Sequence, residues 1–277
     1  MYDANAEATS GILAGKCAIV TGGAGGIGRA YGLRLAQLGA NVAIIDVDLH
    51  VAARWGEKLS ADTIDEELRA YGVSALAIQA DLSNRLAATA AIDEIGRTFG
   101  RIDILVNNAG GAITPIETSF ASQSNDAELA SIFGVNFYSM VYCCQAALPI
   151  LKRQGGAIVN VSTIGVDLAP ASGAIAGYAA AKAAVLRYTR HLAVEVGPHA
   201  IRVNAIAPGI IETARVMAQS NQRDLGTDKQ AQVIPLRRLG TAADCTGTLE
   251  YLVTDMSLYV TGECIRVSGG YSLVAAG

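Results

Sequence analysis

Short runs of apolar, mostly β-branched residues alternate with helical patterns along most of the chain. The runs are bulky on both faces, which is typical of strands buried within a parallel sheet. Such alternation predicts an α/β fold: a doubly wound parallel sheet of about seven strands with helices on both faces. The predicted strands are residues 17–20, 42–45, 75–79, 102–106, 157–161, 201–206 and 264–267, and the clearest predicted helices are 28–38, 86–99, 128–152, 178–196 and 242–252.

The spacing of these elements predicts one domain over residues 12–277, preceded by a flexible tail at 1–11. No repeat or linker-like tract divides the chain, and α/β folds of roughly 200–250 residues are routinely single domains. Residues 51–72 are too long for one helix and predict two. Residues 209–240 follow a strand and are polar with weak periodicity. Because ligands bind at the carboxyl ends of strands in such folds, we expect this segment to be a substrate lid.

The composition excludes several classes of function. Charged residues make up 17% of the chain and the net charge is −4, so nothing favours nucleic acid or an anionic membrane as a partner. No apolar run reaches the ~18 residues that span a bilayer. The five cysteines and three histidines lack metal-site spacing. We therefore expect reduced thiols, no metal and a cytoplasmic protein.

A glycine-rich turn follows the first predicted strand and reads TGGAGGIG at residues 21–28. Glycines allow a sharp turn and a close approach of the backbone to a pyrophosphate, and the helix that follows offers free amides and a partial positive charge. A strand before and a helix after are typical of a Rossmann-type dinucleotide site, although a tight turn without a ligand is the alternative. The candidate cofactor-binding residues are Gly22, Gly26, Ile27 and Gly28.

Two acidic residues follow the next two predicted strands. Asp46 lies near the ~20-residue spacing expected of the carboxylate that binds the adenosine ribose. Its charge would repel a 2′-phosphate, and the turn carries no Arg or Lys before Gly28, so NAD is favoured over NADP. Asp81, followed by Leu82, closes the third predicted strand and is a candidate acceptor for the adenine amino group. A solvated carboxylate at a strand end is the alternative for Asp46.

Tyr178 and Lys182 are four residues apart on one predicted helix, separated by three alanines. The small alanines leave room for another molecule to approach the helix. A lysine ammonium favours the phenolate, and a tyrosine tuned in this way can take a hydroxyl proton. The alternative is a lysine that extends to solvent beside a half-buried tyrosine.

These motifs occur in order with NNAG at 107–110, Asn136 and Pro208-Gly209. In this combination the chain resembles the short-chain dehydrogenase/reductase family over roughly residues 13–270. The resemblance implies that Tyr178 is the general acid/base and that Lys182 binds the nicotinamide ribose and lowers the tyrosine pKa. It implies that Asn136 holds a water in a proton relay to Lys182. It further implies an adenosine-side group, Asn108, Ala109 and Gly110, and a nicotinamide-side group, Pro208, Gly209, Ile211 and Thr213.

The family's substrate-orienting serine has two candidates here. Counting along the fifth predicted strand gives Thr163, whereas counting backward from Gly165 gives Ser162. Adjacent strand residues point to opposite faces, so only one hydroxyl can reach the substrate. The strand register favours Thr163.

The segments 111–116, 163–177 and 209–217 are candidates for the substrate pocket and carry few charges. They favour an apolar alcohol or ketone such as an alicyclic, aromatic or steroid-like compound. One alternative is an NAD(P)H-dependent reductase of carrier-bound or CoA-bound 3-oxoacyl groups. The chain resembles such enzymes in residues 235–240. Another is a non-catalytic dinucleotide sensor. Residues 259–270 resemble the family's last strand, which implies a homotetramer.

Overall fold

The computed structural model describes residues 11–170, 172–220 and 226–273, so all but the last residue of the predicted tail 1–11 lies outside the described residues. The strands in chain order are β1 Cys17–Thr21, β2 Asn41–Asp46, β3 Ala75–Gln79, β4 Ile104–Asn107, β5 Gly156–Val161, β6 Ile201–Pro208, β7 Ile211–Glu212, β8 Gly240–Thr241 and β9 Cys264–Val267. Seven of them form one parallel sheet in the order β3-β2-β1-β4-β5-β6-β9. The predicted doubly wound parallel sheet is confirmed.

The helices pack around this sheet. They are α1 Gly26–Gln37, α2 Val51–Arg54, α3 Ile64–Arg69, α4 Arg85–Phe99, α5 Asp126–Phe133, α6 Ser139–Leu151, α7 Ala176–Val196, α8 Ala214–Ala218, α9 Asp228–Val233 and α10 Ala242–Val253. The prediction of one helix over residues 128–152 is wrong, because a π-helical turn at Gly134–Tyr138 separates α5 from α6. In the described part of the chain, no helix is long and apolar enough to cross a membrane.

Alternate residues of the central strands bury their side chains in two separate cores. On β2, Val42 and Ile44 face a core with α1, α3 and α10, whereas Ala43 and Ile45 face one with α4, α6 and α7. Helices therefore cover both faces of the sheet. The bulk on both sides of each strand, which identified the strands in the sequence, follows directly from this two-sided burial.

The position of the site follows from the strand order. β1 lies between β2 and β4, and Thr21 pairs with Asn107 where both strands end. The connection that leaves β1 packs on one face of the sheet and the connection that leaves β4 packs on the other. A crevice opens at such a point of reversal, and ligands of doubly wound folds bind there.

A second, two-stranded sheet joins the ends of the predicted lid. β7 pairs in parallel with β8, and Gly240 N donates to Ile210 O at 3.0 Å. Between these strands lie α8, α9 and the undescribed residues 221–225. The chain therefore leaves the main sheet after β6 and returns beside β7, immediately before α10.

Candidate active site

The glycine-rich turn is packed too tightly for side chains. A Cβ on Gly28 would lie 2.0 Å from Gly22 O, and one on Gly22 would lie 2.8 Å from Ala109 Cα. Gly22 and Gly26 also have positive φ angles of 61° and 55°. The turn leads directly into α1. The first amides of this helix, including that of Ile27, have no hydrogen-bond acceptor within the helix.

The chain after β4 supports this turn. Thr21 Oγ1 accepts hydrogen bonds from the amides of Asn108 and Ala109, both at 3.0 Å. The Asn108 side chain donates to Gly22 O at 2.8 Å and to Thr21 O at 3.2 Å. Asn108 and Ala109 therefore line the crevice and fix the turn's shape. No separate sequence pattern indicates this role of Thr21.

Asp46 lies at the end of β2, buried beside the turn. Its carboxylate accepts from Ala24 N at 3.1 Å and from Asp48 N at 3.2 Å. Burial raises the pKa of Asp46, and these backbone hydrogen bonds oppose the rise. The carboxylate is thus fixed at the predicted ribose end of the crevice.

β3 ends at Gln79, as predicted, and Asp81 follows it two residues later. Its exposed carboxylate accepts from the amide and hydroxyl of Ser83 at 2.9 and 2.7 Å, in a local turn after the strand. Its contact with the adenine stays a prediction. Leu82 is buried.

Asn136 lies in the π-helical turn, and its side chain is held by backbone groups. Oδ1 accepts from Gly111 N at 2.8 Å, while Nδ2 donates to Gly111 O at 3.0 Å and to Ile132 O at 2.9 Å. A Cβ on Gly110 would lie 2.4 Å from Oδ1. Asn136 therefore ties the helix to the loop after β4, and this attachment accounts for the break in the helix. The water relay expected from the resemblance stays a prediction.

Tyr178 and Lys182 lie near the start of α7, where the helix passes the ends of the central strands. The lysine is 3% exposed, its Nζ donates to Val161 O at 2.8 Å, and burial lowers its pKa to about 8. Packing raises the pKa of the Tyr178 phenol, opposed by a hydrogen bond with Thr163 and by the charge of Arg215. The effect of Lys182 on this pKa, expected from the resemblance, stays a prediction.

The structure separates the two candidate hydroxyls. Thr163 lies beside the Tyr178 side chain and lowers the pKa of its phenol, and Thr163 Oγ1 accepts from Gly165 N at 3.2 Å. Ser162 is buried, and its Oγ donates to the Lys182 carbonyl at 3.0 Å. Ser162 is thus directed toward the α7 backbone, and Thr163 is the hydroxyl that faces the phenol. The geometry therefore favours Thr163 over Ser162 as the substrate-orienting residue, and that role stays a prediction.

The segment after β6 crosses over the crevice. Gly209 N donates to Val267 O at 2.9 Å, which continues the contact of Pro208 with β9. Ile211 is buried in β7. Thr213 caps α8 through Val216 N, and its Cγ2 would lie 3.6 Å from a Cβ on Gly26. Thr213 therefore lies against the glycine-rich turn.

Arg215 is a residue of this site that the sequence analysis missed. A Cβ on Gly111 would lie 3.0 Å from Arg215 Nη1, so the guanidinium lies over the loop after β4. Its charge also acts on Tyr178. A single arginine on a short helix gives no signal in the sequence, and it brings a charge into segments that we expected to be largely apolar.

A buried chain of polar side chains also escaped the sequence analysis. Asn107 Nδ2 donates to Asn160 Oδ1 at 2.8 Å, and Asn160 Nδ2 donates to Thr189 Oγ1 at 2.9 Å. This chain links β4, β5 and α7 beneath the site and fixes their relative positions.

Among the described residues, no group of three His, Cys, Asp or Glu side chains could hold a metal ion.

Comparison with known proteins agrees with this geometry. A family model described as enoyl-(acyl carrier protein) reductase matches residues 22–272. Cyclohexanol dehydrogenase from Rhodococcus sp. (strain TK6) is 39% identical over 93% of this chain and 96% of its own length. A 3-oxoacyl-[acyl-carrier-protein] reductase from Staphylococcus aureus (strain Mu50) is 35% identical over 92% and 97%.

A solved structure has the same fold. Carveol dehydrogenase from Mycobacterium avium, in complex with NAD, superposes with a TM-score of 0.83 at 28% identity, over 95% of this chain and 100% of that one. The motifs, the seven-stranded parallel sheet and these near-full-length matches agree. The chain belongs to the short-chain dehydrogenase/reductase family of oxidoreductases.

Proposed function

We propose that this protein transfers a hydride between NAD and an apolar secondary alcohol or ketone. The observation that carries the proposal is the meeting of the Tyr178 phenol with the Thr163 hydroxyl, beside a buried Lys182. Two hydroxyl groups that converge in this way can hold one substrate oxygen between them. The similarity to cyclohexanol dehydrogenase supports an alicyclic alcohol as the substrate class.

The residues of the crevice fit a dinucleotide. The glycine-rich turn excludes side chains, α1 presents the amides of Ile27 and Gly28, and Asp46 offers a fixed carboxylate to a ribose. Asn108, Ala109, Gly110 and Leu82 would line the adenosine side, and Thr213 would cover the phosphates. The solved relative that contains NAD supports this choice of cofactor. When bound, NAD supplies the acceptor for the hydride.

The chain's own groups then move the proton. In alcohol oxidation, Thr163 donates to the substrate oxygen and orients it, and Tyr178 takes the hydroxyl proton as the hydride leaves. Lys182, with a pKa lowered to about 8, is suited to exchange a proton near neutral pH. Asn136 keeps the Gly110–Gly111 backbone in place beside the reacting groups. In ketone reduction the same groups act in reverse.

The test is NADH formation with a panel of cyclic, aromatic and steroid-like secondary alcohols, run in parallel with NAD and NADP. We expect rapid reduction of NAD with one apolar class and little with NADP. Polyols serve as the contrasting substrates, and efficient turnover of polyols with none of the apolar alcohols would contradict the substrate class.

The pH dependence of oxidation should depend on Arg215. Its positive charge favours the Tyr178 phenolate, so Arg215→Met should raise the pKa of Tyr178 and move the pH profile of kcat/KM to higher pH. Arg187→Met removes an exposed arginine of α7 and is the matched control. An unchanged profile in Arg215→Met would show that this charge does not act on the phenol during turnover.

A second candidate function is the reduction of 3-oxoacyl groups attached to a carrier. The family model's description and the Staphylococcus aureus relative favour it. A preference for NADPH together with turnover of a 3-oxoacyl thioester would support this function. Asp46, placed to repel a 2′-phosphate, argues against the NADPH-dependent form. The intact set of Tyr178, Lys182 and Asn136 argues against a non-catalytic sensor.

We also propose a cytoplasmic homotetramer. β9 is an edge strand that pairs with β6, and the nearby side chains Met256, Leu258 and Tyr259 are exposed and apolar. Such edges and patches favour association with another subunit. Light scattering in solution measures the number of subunits directly.

A further inference from the structure

Two carboxylates that follow α1 in the chain contact the glycine-rich turn. Asp46 accepts from Ala24 N, as described above. Glu57, in the connection between α2 and α3, accepts from Gly26 N through Oε2 at 2.9 Å. Since these two amides are two residues apart, the chain between them spans at most about 7 Å. Both carboxylates therefore bind the same short stretch of the turn, and both charges lie beside it.

Arg29 holds the Glu57 carboxylate in place. Its Nη1 donates to Glu57 Oε1 at 2.7 Å, and its Nε and Nη2 donate to the two oxygens of Glu67 at 2.7 and 2.5 Å. One guanidinium is therefore shared between two carboxylates. With Asp46 included, these four side chains leave a net negative charge around the turn.

A cavity lies beside Glu57. Its volume is about 720 Å³, and its lining includes Glu57, Leu49 and Leu59. The two leucines pack against the core and anchor the segment, and the hydrogen bonds to Gly26 and Arg29 position the carboxylate. The cavity is separate from the catalytic residues, since Tyr178, Lys182 and Thr163 are not part of its lining.

The same segment covers Gly25. A Cβ on Gly25 would lie 3.2 Å from Val51 Cγ1 and 3.5 Å from Glu57 Oε2. This side of the turn thus presents a carboxylate to an incoming ligand. A group with two negative charges placed between Asp46 and Glu57 would face repulsion from both sides.

We propose that Glu57 is a second residue that selects the cofactor, excluding the 2′-phosphate of NADP from the ribose end of the site together with Asp46. The inference rests on the proposed use of NAD. The main pyrophosphate still has the amides of Ile27 and Gly28, because Glu57 takes only that of Gly26. The extra phosphate of NADP is the group that meets like charge, and like-charge contacts disfavour the wrong partner.

The test is the dissociation constant of NADH and of NADPH, measured by fluorescence titration without substrate. Glu57→Gln keeps the shape and the acceptor for Gly26 N but removes the charge. We expect the ratio of NADPH to NADH affinity to rise about fivefold, the size of a screened interaction between partly exposed charges. Asp62→Asn removes one exposed carboxylate from the same segment and should leave the ratio unchanged.

The salt dependence of the NADH and NADPH affinities of the wild-type protein is an independent test. Added NaCl should narrow the affinity gap between NADH and NADPH, because salt screens the repulsion. If Glu57→Gln binds NADH and has the same ratio of NADPH to NADH affinity as the wild type, the proposed role of Glu57 is wrong, and the proposed use of NAD still stands. Equal weakening of both dinucleotides would also overturn it and would assign Glu57 to the fold of the turn. A wild-type protein that bound neither dinucleotide would overturn the proposed cofactor as well.

Discussion

Tyr178→Phe should lower kcat for alcohol oxidation by about 10²–10⁴-fold, the usual contribution of a positioned general acid/base. The phenol is the group that takes the substrate proton, and Phe keeps its ring while it removes the oxygen. The Thr163 hydroxyl then loses one partner but retains its bond with Gly165 N. Initial rates with saturating NAD and alcohol measure the effect.

Cofactor binding in this variant should be nearly intact, because the dinucleotide contacts proposed for the glycine-rich turn and Asp46 lie on other elements. Tyr188→Phe is a matched control: it removes a phenol oxygen from the same helix, where Tyr188 packs on Phe137 at 5.9 Å between ring centroids. Tyr188→Phe should keep most of the activity. If Tyr178→Phe kept it too, the proposed mechanism would be wrong.

Asp46→Ser should change the ratio of NADPH to NADH affinity by about 10²-fold toward NADPH, since a like-charge contact costs several kcal/mol. The substitution removes both the charge and the acceptor for a ribose hydroxyl. It also leaves the amides of Ala24 and Asp48 without their carboxylate, so thermal stability should fall. The ratio of the two affinities is therefore the informative measurement, since a general loosening of the turn weakens both.

Asp81→Ser is the control for the loss of the Asp46 charge. Asp81 is an exposed carboxylate beyond the neighbouring strand, and its proposed contact is with the adenine, which the two dinucleotides share. Its loss should affect both affinities equally. A similar change of ratio in Asp81→Ser and Asp46→Ser would mean that the ribose end has been misplaced.

Most of the sheet could be predicted because the signal is local. Residues 42–45 are apolar on both faces, and the structure buries Val42 and Ala43 in different cores. The glycine-rich turn and the spacing of Tyr178 and Lys182 are equally local, so their positions followed from the sequence. In each case the chemistry needs residues that are neighbours along the chain.

The features that were missed depend on partners far apart in the chain. The helix over 128–152 is interrupted because Asn136 bonds Gly111, 25 residues earlier. Glu57 reaches an amide 31 residues away. The choice between Ser162 and Thr163 needed the position of α7, whose Lys182 carbonyl takes the Ser162 hydroxyl. No periodicity or composition reports such pairings, which arise only when the sheet brings distant segments together.

The pairing of β7 with β8 has an evolutionary consequence. Because Ile211 and Gly240 are already joined at the base, the chain between them can lengthen with little added closure entropy, about 0.6 kcal/mol for each doubling. Insertions that follow α8 would leave Thr213 against the glycine-rich turn and Arg215 over the loop after β4. If this stretch is the predicted substrate lid, a lineage can acquire new substrates by lengthening it after α8, and chimaeras that keep α8 should fold.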